Sequence, residues 1–203
     1  MAELGAGVPP PFTFYNYDRT VIAFHGTDRD TADALVAGTP FEASDTEDEW
    51  LGTGIYFWEH APKQAWKWAT DIRKYAPPAV VGAVIRLGNC FDMCDPGNIT
   101  LLRAYKQDMV DGLGDAGEPV PENHRRHMKL DCAAFNYVYN QSVAVGRQID
   151  SFRAVYVPAD NKKRIWRGSW IYAETHVQIC LRNAQNILAV WHVRQDGRYG
   201  LDP

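Results

Sequence analysis

The sequence predicts a single α+β domain, and three observations carry that prediction. At 203 residues the chain has the length of one ordinary domain. Its 46% apolar and 12% aromatic content, with seven tryptophans, suffices for a sizeable core. Apolar runs of strand type and runs of helical period follow one another without the steady βα alternation of a doubly wound sheet.

Taken in order, residues 1–19 are rich in Pro and Gly and then aromatic, an irregular lead-in. Thr20 to Phe24 is a short β-branched strand ending at His25, with Gly26-Thr27-Asp28 as its break. Asp30 or Thr31 caps a short helix through Val36, and Gly38 ends it. A loop from Thr39 to Trp50 carries Glu42, Asp45, Glu47, Asp48 and Glu49, a solvated acidic segment or the rim of a substrate entrance. Gly52-Thr53-Gly54 leads into a strand from Ile55 to Trp58. From Ala61 to Ala76 a helix is expected, with Ala61, Ala65, Trp68, Ala69, Ile72 and Tyr75 on its packed face.

Ala79 to Leu87 is the most apolar strand. Asn98 caps a helix to Leu113, and a second helix runs from Lys129 to Ala144, closed by Gly146. Strands follow at Ser151–Val157, Thr175–Leu181 and Ile187–Val193. There is no internal repeat, so residues 1–203 form one domain.

Net charge of −4 argues against a chain-wide nucleic-acid footprint. Basic residues cluster only at Arg125, Arg126 and Lys129, and at Lys162, Lys163, Arg164 and Arg167, both readable as solvated loops. No apolar run reaches the roughly 18 residues of a membrane span, and no secretory leader is evident. Four cysteines do not make a disulfide scaffold, and Cys90 and Cys94 lack a second close pair for zinc. A reducing cytoplasm is the expected location, with no membrane partner and no metal.

Two stretches hold chemistry that packing does not require. His25 stands at the end of an apolar strand beside Gly26, where a missing Cβ lets a ligand approach the backbone. Tyr56 lies in Gly54-Ile55-Tyr56-Phe57-Trp58 behind a glycine pair. The glycines precede a strand and there is no G-x-x-x-x-G-K-[ST], which excludes a phosphate loop.

In combination, His25-Gly26-Thr27, a helix ending in glycine, Leu51-Gly52-Thr53-Gly54-Ile55-Tyr56-Phe57 and an Ala- and aromatic-rich helix resemble the ADP-ribosyltransferase family, in its diphtheria-toxin and poly-ADP-ribose-polymerase branch. The resemblance implies a split α+β fold of two packed, antiparallel-rich sheets with flanking helices, relative to which residues 98–145 are a helical insertion. It implies NAD as co-substrate, bound through His25 at a ribose, Gly26 at the nicotinamide amide, and neighbouring Thr27 and Gly54. Tyr56 would stack on nicotinamide, with Trp66 or Trp68 closing the sandwich in place of the family's tyrosine, whose ungapped position holds Lys67. Trp66 is the better candidate, since Trp68 lies on the packed face.

The family's late-strand glutamate, which binds the ribose 2′-hydroxyl and stabilises developing positive charge, aligns here with Gln178. Glu174 is the alternative carboxylate, yet it lies four residues, or ~13 Å, along an extended strand. A glutamine accepts the ribose hydrogen bond without supplying charge, a loss of about 10²–10³ in rate. The expected function is therefore NAD-dependent mono-ADP-ribosyl transfer to a macromolecular acceptor, protein or nucleic acid. A bacterial toxin or defence effector with a neutralising partner protein fits that role. The alternatives are a non-catalytic NAD or ADP-ribose binding module and an NAD glycohydrolase.

Overall fold

The computed structural model describes residues 19–46, 49–124, 127–158 and 163–195. The lead-in to residue 18, Glu47, Asp48, Arg125, Arg126 and Lys162 lie outside them. The described residues are mixed α and β: nine strands and four α-helices. Seven strands make one sheet in the order β4-β7-β8-β2-β1-β3-β9, built from Cys90–Asp92, Ser151–Tyr156, His176–Leu181, Ile55–Glu59, Thr20–Asp28, Pro78–Arg86 and Ile187–Val193. All its neighbours are antiparallel except β4 with β7. Asn123–His124 and His127–Met128 (β5, β6) pair separately.

In place of two separate sheets, the sheet is continuous but pinched in the middle. Strand β1 pairs with β3 along its whole length, from Thr20↔Arg86 to Asp28↔Pro78. With β2 it shares only Ala23↔Glu59 and Phe24↔Trp58. The sequence placed the end of β1 at His25. Pairing with β3 carries the strand through Gly26 and Thr27 instead, so His25 stands mid-strand, just past the last β1–β2 pair.

The two halves still share a core. Val21, Ala23, Ala83 and Ile85 from one side meet Ile55, Phe57, Ile179 and Leu181 from the other in a single buried cluster. On the outer faces, α1 (Arg29–Val36) sets Ala32 and Leu35 on Ala79 and Val81. Ala65 of α2 (Pro62–Lys67) packs with Phe24, Trp58 and Val80. Helices α3 (Pro96–Ala116) and α4 (Lys129–Ala144) cover Phe152, Ala154 and Cys180 with Leu101, Tyr105, Phe135 and Val138.

Caps differ from the expected residues for local reasons. Asp28 rather than Asp30 or Thr31 caps α1, its carboxylate accepting from Thr31 N and Oγ1, both at 2.8 Å. Asp95 rather than Asn98 caps α3, because Pro96 is preorganised for the first helical position. Strand β4 escaped the sequence reading because three residues carry no periodicity.

A buried ion network ties one half together. Arg153 Nε donates to Glu59 Oε2 at 2.6 Å and Nη2 to Oε1 at 3.2 Å, while Nη1 donates to Asp92 Oδ2 at 3.0 Å. The guanidinium thereby reaches from β7 across β8 to β2 and also holds β4. Burial opposes its charge, but the carboxylates outweigh that and raise its pKa. Removing it leaves buried Asp92 without its cation and Glu59 with only the half-exposed Arg19 at 3.5 Å, which costs several kcal/mol. We expect Arg153→Ala to lower stability by about 3–5 kcal/mol, read as a fall in the urea midpoint.

Candidate functional site

The cleft opens where β1 and β2 part. In an antiparallel strand, the N–H and C=O of alternate residues point to the same edge. The Ile22 carbonyl accepts from His60 N at 3.1 Å on the β2 side, so Phe24 and Gly26 face that side as well. The register of Ala23↔Glu59 and Phe24↔Trp58 would next join Gly26 to Tyr56, but the ladder has ended. His25 bridges the gap instead: its Nδ1 lies 2.8 Å from the Tyr56 carbonyl.

A carbonyl only accepts, so Nδ1 carries the proton. Burial lowers the His25 pKa, against the raising effect of that backbone hydrogen bond, which keeps the ring neutral. Its Nε2 is therefore an acceptor. Edge contacts with Phe41 and Phe57, at centroid distances of 5.5 and 5.7 Å, hold the ring in place.

Tyr56 is fixed from the opposite side. Its hydroxyl donates to Gly52 O at 2.7 Å and accepts from Leu51 N at 3.0 Å. Burial pushes the phenol pKa far up, so it stays protonated. Gly52, at φ 79°, makes this turn, and a Cβ there would meet Arg182 and Asn136 within 2.6 Å. With its hydroxyl committed, Tyr56 offers the cleft its ring.

The cleft wall comprises His25, Gly26, Gly54, Tyr56 and Gln178 together with Trp58, Trp68, Arg73, Tyr75, Glu42, Ser44 and Glu49. The structure thus gathers most of the sequence-selected residues, and four placements stand out. Thr27 is buried and lies outside the wall. Gly26 does line the cleft, but its missing Cβ answers to helix α2: a Cβ would stand 2.4 Å from Ala65 O. Glu174 is not in the wall; its carboxylate is held by Lys67 at 2.5 Å and by Lys163. Gln178 is in the wall, with Oε1 accepting from Trp50 Nε1. An indole N–H only donates, so Trp50 fixes which arm of the amide is the oxygen and which, Nε2, is the donor.

Trp68, not Trp66, lines the cleft. The continuous helix to Ala76 on which the opposite choice rested is not formed. After Lys67 the chain takes a π-helical turn, Trp68–Ile72, with Arg73 N bonded to Trp68 O at 2.9 Å. This winds more loosely than the 3.6-residue period assumed, and it turns Trp68 and Tyr75 toward the gap. Trp68 packs on Trp58 at 5.6 Å, and the Arg73 guanidinium lies 5.4 Å above its ring. Sequence reasoning missed Arg73 and Tyr75 for the same reason. Glu42 and Glu49 were visible only as members of an acidic loop.

No family model matches the chain, and no solved structure matches it. An uncharacterized protein of Methanocaldococcus jannaschii is 25% identical over 180 residues, spanning 79% of this chain and 81% of that protein. Among the described residues no helix is long and apolar enough to cross a membrane.

Glu174 supplies a test of its structural role. Hydrogen bonds from Lys163 and Lys67 lower its pKa from 4.5 to about 2. A carboxylate held lower in the folded state stabilises above its unfolded pKa and loses that contribution as the pH falls through the folded value. The stability difference between wild type and Glu174→Gln should be full above pH 4.5 and close as the pH approaches 2, followed by denaturant melts across that range.

Proposed function

We propose that the chain is an NAD-dependent mono-ADP-ribosyltransferase built on a split, ADP-ribosyltransferase-like sheet. The observation that carries this reading is the Gly26 edge left open beside a fixed tyrosine ring. Gly26 offers one N–H and one C=O at the point where the ladder stops, the pair a carboxamide requires. The Tyr56 and Trp68 rings line the same cleft and suit a flat aromatic group such as nicotinamide.

The remaining donors fit the rest of the ligand. Neutral His25 accepts a ribose hydroxyl at Nε2, Gln178 donates from Nε2, and Arg73 offers positive charge to a diphosphate. NAD, when bound, supplies an ADP-ribosyl group on a glycosidic carbon with nicotinamide as its leaving group. The chain's own residues orient that group and shield it with aromatic rings. The donor role of Gln178 departs from the acceptor role expected of it. It fixes the ribose without adding charge, which suits single transfer rather than polymer synthesis. The same neutrality favours, as a second reading, a module that holds NAD without reacting it.

Purified protein is incubated with NAD and nicotinamide release is followed with and without cell extract. Transfer gives release that depends on extract, with label on a protein or nucleic acid. Release without extract indicates hydrolysis, and binding without release indicates the module. Calorimetric titration separates the two tryptophans: Trp68→Ala should weaken NAD binding tenfold or more, about 1.4 kcal/mol. Trp66→Ala should alter melting and leave affinity unchanged.

A further inference from the structure

We propose that Glu49, delivered by the acidic loop, supplies the negative charge of this cleft that Gln178 on the late strand cannot. This rests on the NAD reading above and concerns a residue that the late-strand alignment does not reach.

Three consecutive residues, the last two of the loop and Leu51 after it, meet the site. Leu51 N donates to the Tyr56 hydroxyl, Trp50 Nε1 donates to Gln178 Oε1, and Glu49 lines the cleft wall with both. The carboxylate is positioned. Ser44 Oγ donates to Glu49 Oε1 at 2.9 Å. Ser44 is itself pinned to Gly54 at the start of β2 by two backbone hydrogen bonds of 2.8 and 2.9 Å. Glu49 O also accepts from Gly52 N at 2.8 Å, which closes the turn carrying Tyr56's anchor.

Its charge bears on the groups that frame the site. After burial and the Cys180 thiol, Coulombic repulsion from Glu49 raises the pKa of Tyr56; at Cys180, two residues along β8 from Gln178, burial raises the pKa, Arg182 lowers it, and Glu49 adds a smaller rise. Among the described residues Glu49 makes no ion pair, and the cation that shares its wall is Arg73. Glu42 shares the wall but is exposed and has no comparable anchor.

The chemistry asks for such a group. The glycosidic C–N bond breaks with its electron pair going to the nicotinamide nitrogen, which loses its positive charge. Positive charge passes to the ribosyl carbon until an acceptor oxygen or nitrogen bonds there and releases its proton to solvent. A fixed carboxylate beside that carbon stabilises the charge as it develops. Gln178, oriented by Trp50, then holds the ribose while Glu49 provides the field.

The test compares wild type, Glu49→Gln, Asp45→Asn and Glu49→Gln/Gln178→Glu, each with NAD affinity by calorimetry, melting temperature and nicotinamide release. Glutamine at 49 can still accept from Ser44, so folding should be kept. We expect Glu49→Gln to lose about 10²-fold or more in release while NAD affinity stays within a few-fold. Asp45→Asn, on the same loop outside the wall, should keep full release, and the double variant should recover part of the loss. Release retained within threefold in Glu49→Gln, or lost only in step with affinity, overturns the proposal and leaves the NAD reading intact. NAD binding without release in wild type overturns the proposal, and wild type that neither binds nor releases overturns both.

Discussion

Strand β1 spends its whole length on β3 but only two residue pairs on β2, and the cleft depends on how that unequal arrangement is satisfied. Backbone groups in a buried setting need partners. Had the ladder continued, Gly26 N–H would have taken the Tyr56 carbonyl. The His25 imidazole takes it instead, at 2.8 Å, and the Gly26 edge is left facing a gap between rings. Proton and acceptor positions on the imidazole follow from this one bond. The opening survives because the halves are joined elsewhere, through the shared core around Phe57 and Ile85. Arg153 locks β2 to β4 and β7 from the far side.

The acidic loop is the second support. It enters the sheet at the Ser44–Gly54 bridge and ends on the Tyr56 hydroxyl. Between those points it meets Gln178 through Trp50, whose ring in turn rests on Tyr156, itself stacked on His176. Opposite it, the π-helical turn brings Arg73 and Trp68 into the wall. The cleft wall thus carries both signs of charge, Glu42 and Glu49 with Arg73.

Much of the fold was legible because periodicity and punctuation agreed. Helix Lys129–Ala144 and strand Ile187–Val193 fall at the residues read from the sequence. His25, Tyr56 and Gln178 were each legible as polar residues on strands, and the structure brings all three to one cleft. What escaped has physical causes. A three-residue strand leaves no period, and a π-turn breaks the helical projection on which the choice between Trp66 and Trp68 relied. The role of Glu49 depends on a bridge between Ser44 and Gly54 that local sequence cannot announce.

The contact between Gly26 and helix α2 changes what the His25-Gly26 pair signifies. With Ala65 O only 2.4 Å from where a Cβ would sit, any side chain there would displace the helix before it touched a ligand. The glycine is a seat for α2, and α2 leads directly into the turn that presents Trp68. The constraint on this glycine is structural and holds whatever the cleft contains. The histidine is bound instead to the strand side, through the Tyr56 carbonyl, so the two adjacent residues answer to different neighbours: one seats a helix and the other ends a ladder.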